Sequence, residues 1–251
     1  ELDAAYKTLS ASAEGGTIQL AASAESYEID FNGYGSDFEE SPVTIVNADP
    51  SDPAVIGATS LAWVSNVTFD GMDFHAAGED IPQYQKMVRM REVENVTIRN
   101  STLSSDGTGV LGLTDGDAVE GASLLEFRMS TGLVFENNEV SGGIDGVTLS
   151  ASSDITISGN EFHGIQNDGI RLVGVEDVTI SDNYMHDFVG TTLDVSHPDY
   201  IQLWGTNADR PSKNVTISGN VIDTGDGQSY QAIFGHNEDY EENGWLYEGF
   251  V

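Results

Sequence analysis

The chain has 251 residues, enough for one long core, and it carries 9 Lys and Arg against 42 Asp and Glu, a formal net charge of −33. That balance excludes a general binder of nucleic acid or of anionic membrane, because phosphate recognition needs a basic surface. There is no Cys to report on redox compartment, and no apolar run approaches a membrane span, whereas 28 Gly against 6 Pro suit a fold with many tight corners.

In chain order, residues 2–13 place Leu2, Tyr6, Leu9 and Ala13 on one helical face. Gly15 and Gly16 stop the helix, and residues 17–20 read as a first strand, so residues 1–16 form a cap. Glu1 reads as a processed or trimmed start. Residues 23–41 are polar and acidic and read as a loop, 42–47 as a strand and 49–53 as a turn. A phrase then begins to repeat. Ser-Asn-Val-Thr-Phe-Asp-Gly (65–71) returns as Glu-Asn-Val-Thr-Ile-Arg-Asn (94–100), and in related form at 131–137, 153–159, 176–182 and 213–219. Each copy is a short strand ending in Gly, Asn or Asp, and in four copies a second Asn follows: Asn138, Asn160, Asn183 and Asn220. A base period of roughly 22 residues with insertions is a solenoid signature. Strand-rich coils of that length predict a parallel β-helix, each coil burying its apolar side on its neighbours.

A second family of strands lies between the repeats. It runs through Met87-Val-Arg-Met-Arg91, Leu125-Glu-Phe-Arg128, Asp145-Gly-Val-Thr-Leu149, Asp168-Gly-Ile-Arg-Leu172 and Asp199-Tyr-Ile-Gln-Leu-Trp204. Each coil therefore carries at least two strands. With the aliphatic residues inward, Arg89, Arg91, Glu126, Arg128, Thr148, Arg171, Gln202 and Trp204 point out and form a ladder. Arginine forks suit carboxylate or sulfate groups on a polymer. The bland reading is a solvated face of ion pairs. Asp145, Asp168 and Asp199 each stand just before a ladder strand, so stacking brings them together. Such a column repels itself unless a cation neutralises it, and calcium takes oxygen ligands of this kind. The bland reading is Asp-Gly corner chemistry. Two insertions, 104–122 and 187–198, interrupt the coils. The second leads through His197-Pro198-Asp199-Tyr200 into the ladder, and His, Asp and Tyr can all move protons once tuned. His163 and His186 occupy matching repeat positions, which favours a structural role for both. The last stretch, 230–238, reads as a further coil that stops unfinished at Val251, so either the chain is longer or this end is covered, for example by self-association.

The cap helix, the Asn/Asp-Val-Thr-Ile-x-x-Asn coils and the Asp-Gly-Ile strands resemble the right-handed parallel β-helix proteins of the pectate-lyase-like superfamily, across essentially all of residues 1–251 as one all-β domain. Within that superfamily the sequence is similar to secreted polysaccharide lyases and mannuronan C5-epimerases. The resemblance implies a secreted enzyme on an acidic, uronate-bearing polysaccharide, using calcium and abstracting the C5 proton. Alginate epimerases carry Asp-Pro-His, whereas here the order is His197-Pro198-Asp199. On this reading His197 or Arg171 is the base and Tyr200 the acid. Asp145, Asp168 and Asp199 form the carboxylate or metal site, and Arg89, Arg91, Arg128, Gln202 and Trp204 line the groove. The other expectations are a non-catalytic glycan-binding or tailspike-like module, and a glycoside hydrolase using Asp168 and Asp199.

Overall fold

The structure, a computed structural model, describes residues 1–33, 41–76, 86–106, 110–112, 118–120, 123–190, 198–204, 210–227, 230–236 and 248–251. Its strands stack in parallel, coil upon coil, as the repeat predicts. The repeated phrase builds one eight-stranded sheet, from Gly16–Leu20 through Ser65–Asp70 and Thr131–Glu136 to Lys213–Ser218. Val67, Val96, Leu133, Ile155, Val178 and Val215 lie over one another and are fully buried, or within 1% of it. The second family builds the ladder sheet, whose strands include Lys86–Arg91, Ser123–Arg128, Val147–Ser150, Ile170–Val173, Asp199–Trp204 and Gln231–His236. A third arm of three- and four-residue strands, among them Glu139–Ser141, Glu161–His163 and Tyr184–His186, closes each coil. The strand Val55–Ala62 joins two of these arms: Val55 and Ile56 pair with the short strands, and residues 59–62 pair with the ladder. Each coil is thus three-sided, with one more strand than the sequence pattern resolves.

The corners explain the polar residues that punctuate the repeats. Asn95, Asp154, Asp177 and Asn214 enter their strands, and Asn100, Asn137 and Asp182 leave theirs, at positive φ. That is the left-handed region which Asn, Asp and Gly tolerate best. The second Asn then turns inward. Asn160 is 1% exposed, and its Nδ2 donates to Phe135 O at 2.9 Å and to Asn183 Oδ1 at 2.9 Å. Its own Oδ1 accepts from the Asn138 backbone N–H at 2.9 Å. The same pattern links Asn138 and Asn183 to their neighbours, so one amide per coil satisfies the corner backbone of the coil before it.

Two readings need revision at the N-terminal end. The helix is Leu2–Ser10, and Tyr6 caps the core by stacking on Phe31, ring centroids 4.0 Å apart. Phe31 belongs to a strand, Tyr27–Asn32, inside the segment expected as a loop. Its apolar half, Ile29 and Phe31, is buried, and the acidic outward half masked the alternation. The insertion at 104–122 contains an antiparallel pair, Val110–Gly112 with Ala118–Glu120.

Replacing Asn160 with Ala leaves corner groups of two adjacent coils without partners. Denaturant unfolding should show a loss of about 3 kcal/mol, against less than about 0.5 kcal/mol for the outward Thr156→Ala.

Candidate functional site

Five successive ladder strands, from Lys86–Arg91 to Asp199–Trp204, open on two consecutive inward residues. Met87 and Val88 are both fully buried, as are Leu124 and Leu125. In the next two coils the first of the pair is glycine. A Cβ on Gly146 would stand 3.2 Å from the ring of the core residue Phe162, and one on Gly169 would stand 2.9 Å from the ring of Phe188. This doubled step resets the alternation. Asp145 and Thr148 both face outward, as do Asp168 with Arg171 and Asp199 with Gln202. The contact between Gln202 Nε2 and Asp199 Oδ2, at 3.1 Å, records that shared side.

Three outward rows result. The first runs Lys86, Ser123, Asp145, Asp168, Asp199, Gln231. The second runs Arg89, Glu126, Thr148, Arg171, Gln202, Phe234. The third runs Arg91, Arg128, Ser150, Val173, Trp204, His236. Arg89, Arg91, Arg128, Arg171, Gln202 and Trp204 therefore share one face, beside the aspartate row. The guanidinium of Arg171 lies 5.4 Å from the centroid of the Trp204 ring. Arg89 pairs with Glu126 at 3.5 Å, and Arg91 with Glu92 at 3.3 Å.

The doubled step also corrects the placement of Tyr200. Strict alternation puts it outward with Gln202 and Trp204. It is instead the first inward residue of its strand, 1% exposed, with its ring 4.4 Å from Phe188. Burial, and then Asp223 and Asp187, raise its hydroxyl above the ordinary tyrosine value. Nothing in that position suits it to donate a proton on the outer face. His197 lies outside the described residues. His163 and His186 sit on the short-strand arm, with rings stacked at 5.4 Å and with Glu139 and Glu161 each 2.9 Å from an Nε2, and so belong to a structural ladder on another face.

The three aspartates are buried, at 6%, 2% and 0% exposure, yet they are not equivalent. At Asp145 burial acts to raise the carboxyl, but Lys86 at 3.4 Å, then Asn167 at 2.9 Å, Ser123 at 2.8 Å and Arg171 outweigh it, so it is held below the usual range. Asp168 has no comparable donors. Burial first, then the charges of Asp145 and Asp199, push it up to about 7, against the opposing pull of Arg171 and one backbone N–H from Asp199. Two neighbouring carboxyls with affinities driven apart are the usual mark of acid–base work. Beside them, three buried polar atoms of one row have no hydrogen-bond partner: Thr148 Oγ1, Arg171 Nε and Gln202 Oε1. Buried polar atoms are otherwise nearly always paired. Lys86, Ser123, Asn167 and Thr148 were not singled out from the sequence as site residues. The signal for Lys86 was present, since it precedes Val88 by the two residues that separate Asp145 from Val147.

The donor set fits calcium poorly. Asp145 is already met by an ammonium, a hydroxyl and an amide, Asp199 accepts from Gln202, and among the described residues no three carboxylate or imidazole groups converge as a metal site.

The family described as right handed beta helix region matches residues 54–241. The chain belongs to that family. Among curated proteins none matches it in sequence. Solved structures that resemble it include a glycosyl-hydrolase candidate from Parabacteroides merdae, 13% identical with a TM-score of 0.53, covering 72% of this chain and 81% of that one. They also include an alginate lyase from Paenibacillus sp., at 13% identity and a TM-score of 0.46, covering 92% and 95%. A third is the tailspike protein of Acinetobacter baumannii phage AM24, at 13% and 0.49, covering 89% of this chain and 42% of that one. At such identities the likeness is one of fold.

Because folding raises Asp168, the protein is most stable with respect to this group below the ordinary carboxylate value, where it is protonated in both states, and loses that stability as pH rises toward about 7. Asp168→Asn should leave stability near pH 4 little changed and raise it at pH 8 by on the order of 4 kcal/mol, read by denaturant unfolding at the two pH values.

Proposed function

We propose that the ladder face is the active site of an enzyme acting on an acidic polysaccharide, with Asp168 as the proton-transfer group. The observation that carries this reading is the buried aspartate row beside Arg171, with one carboxyl held ionised and its neighbour raised to about 7. The acidity of the substrate is supported by charge placement. Of the nine Lys and Arg in a chain of net charge −33, five are on this face: Lys86, Arg89, Arg91, Arg128 and Arg171. A polymeric substrate of this kind goes with an extracellular setting.

In the reaction, Arg171 faces the substrate carboxylate, since proton loss at C5 builds negative charge there. A guanidinium is too weakly acidic to serve as the base, so that role passes to Asp168. Asp168 takes the C5 proton. In lysis the C4–O bond breaks, C4=C5 forms, and the leaving oxygen takes a proton from solvent water, while Asp168 later returns the C5 proton to solvent. In epimerisation a proton returns to C5 from the opposite side. No step passes through calcium.

Glycoside hydrolysis is the second reading, favoured by the Asp145–Asp168 split, because hydrolases pair an ionised carboxylate with a protonated one. The aspartates named for it are then Asp145 and Asp168, in adjacent coils, in place of Asp168 and Asp199.

Incubation with polygalacturonate and alginate separates the outcomes. Ultraviolet-absorbing unsaturated uronate reports lysis, proton NMR of the polymer reports epimerisation, and reducing ends without unsaturation report hydrolysis. Asp168→Asn should lower kcat by about 100-fold or more in whichever reaction occurs. A wild-type rate in that variant would remove Asp168 from the mechanism, and no reaction with any acidic polymer would remove the enzyme.

A further inference from the structure

The ladder face is not uniform along the solenoid axis. Its cations are concentrated on the N-terminal side of Asp145: Lys86, Arg89 and Arg91 in one coil, and Arg128 in the next. Arg128 makes no ion pair among the described residues, and Arg89 and Arg91, though paired with Glu126 and Glu92, are about half exposed. Arg171 shares the Asp168 coil. Beyond it the described ladder residues include no Lys or Arg. Gln202 is followed in its row by Phe234, and Trp204 by His236. Rings replace guanidinium groups at the very positions that carried charge a few coils earlier.

Neighbouring coils are about 4.8 Å apart, close to the length of one sugar residue in an extended chain, so a polymer lying along the axis meets these zones in turn. A uniformly charged polyuronate would place one carboxylate over the coil of Arg171 and the next over Trp204, beside Asp199, so that the two share the Arg171 guanidinium, which lies 5.4 Å from the Trp204 ring. Burying an uncompensated carboxylate is costly, whereas the C–H face of a neutral sugar packs well on aromatic rings.

Resting on the acidic-polysaccharide reading, we infer that the substrate is a mixed polymer of alternating acidic and neutral residues: acidic residues lie over the Ser123–Arg128 and Arg171 coils, two coils apart, and a neutral sugar lies over Trp204, in the coil after Arg171. Asp168 then acts at a junction between an acidic and a neutral residue. Trp204 is the specificity-determining residue for the neutral side, and Arg128 for the acidic side.

The test is calorimetric binding of the whole protein to hexasaccharides: hyaluronan, heparosan and unsulfated chondroitin as alternating uronate–neutral probes, oligogalacturonate as the all-acidic probe and cellohexaose as the neutral one. At least one mixed probe should bind about tenfold tighter than either uniform probe. Arg128→Gln should weaken that binding about fivefold and flatten its salt dependence. Trp204→Ala should weaken it about fivefold while leaving oligogalacturonate within about twofold. Circular dichroism of both variants guards against misfolding. Oligogalacturonate binding as tightly as every mixed probe, equal losses of oligogalacturonate affinity in the two variants, or no binding to any mixed probe would each overturn the inference. Binding is read without turnover. A mixed probe that binds but is never converted sinks the enzyme and leaves this specificity standing, and conversion of polygalacturonate with no mixed probe bound more tightly than oligogalacturonate does the reverse.

Discussion

The inward asparagines of four successive coils, Asn138, Asn160, Asn183 and Asn220, lock those coils in register. The amide oxygen of Asn160 accepts from the coil before it, and its NH2 donates both to a backbone carbonyl of that coil and to the next asparagine. Both partners are buried, so a coil that slipped by one residue would strand several polar groups at once. Strict register follows, and from register comes everything on the outside. Residues that are 22 to 37 positions apart in the chain become neighbours because each stands over its counterpart one coil away.

The same constraint accounts for the electrostatics of the aspartate row. Stacking in register places Asp168 between Asp145 and Asp199, and no side chain of its own coil other than Arg171 relieves it. Asp145 differs because the row continues through Ser123 to Lys86, whose ammonium reaches it across two coils, and because Asn167 of the next coil donates to it. A repeated Asp-Gly corner, chemically identical in two coils, thus yields one low and one high carboxyl. The asymmetry comes from which neighbour the stack supplies, not from the repeat itself.

Much of this was legible in the residues. The repeated Asn-Val-Thr phrase marks one sheet, and the alignment of Val147, Ile170 and Ile201 marks another, so the outward positions of Arg89, Arg128, Arg171 and Gln202 follow from alternation alone. The third arm was hidden because three-residue strands such as Glu139–Ser141 are too short to show a period. Tyr200 was misplaced because alternation carries no record of a doubled inward step. The glycines at 146 and 169 hint at one, since each leaves room for an aromatic ring of the core, but they read equally well as turn residues. Tyr27–Asn32 was missed for a related reason: its solvent side is acidic enough to resemble a loop.

The central claim is that coil stacking singles out Asp168 as a carboxyl poised near neutrality. Carbon NMR of protein labelled at the aspartate carboxyls, titrated from pH 3 to pH 9 and assigned by comparison with Asp168→Asn, tests it most directly. The account predicts that the resonance lost in that variant titrates near 7, while Asp145 stays ionised down to below the usual carboxylate range. An Asp168 that titrates together with the exposed aspartates would contradict it.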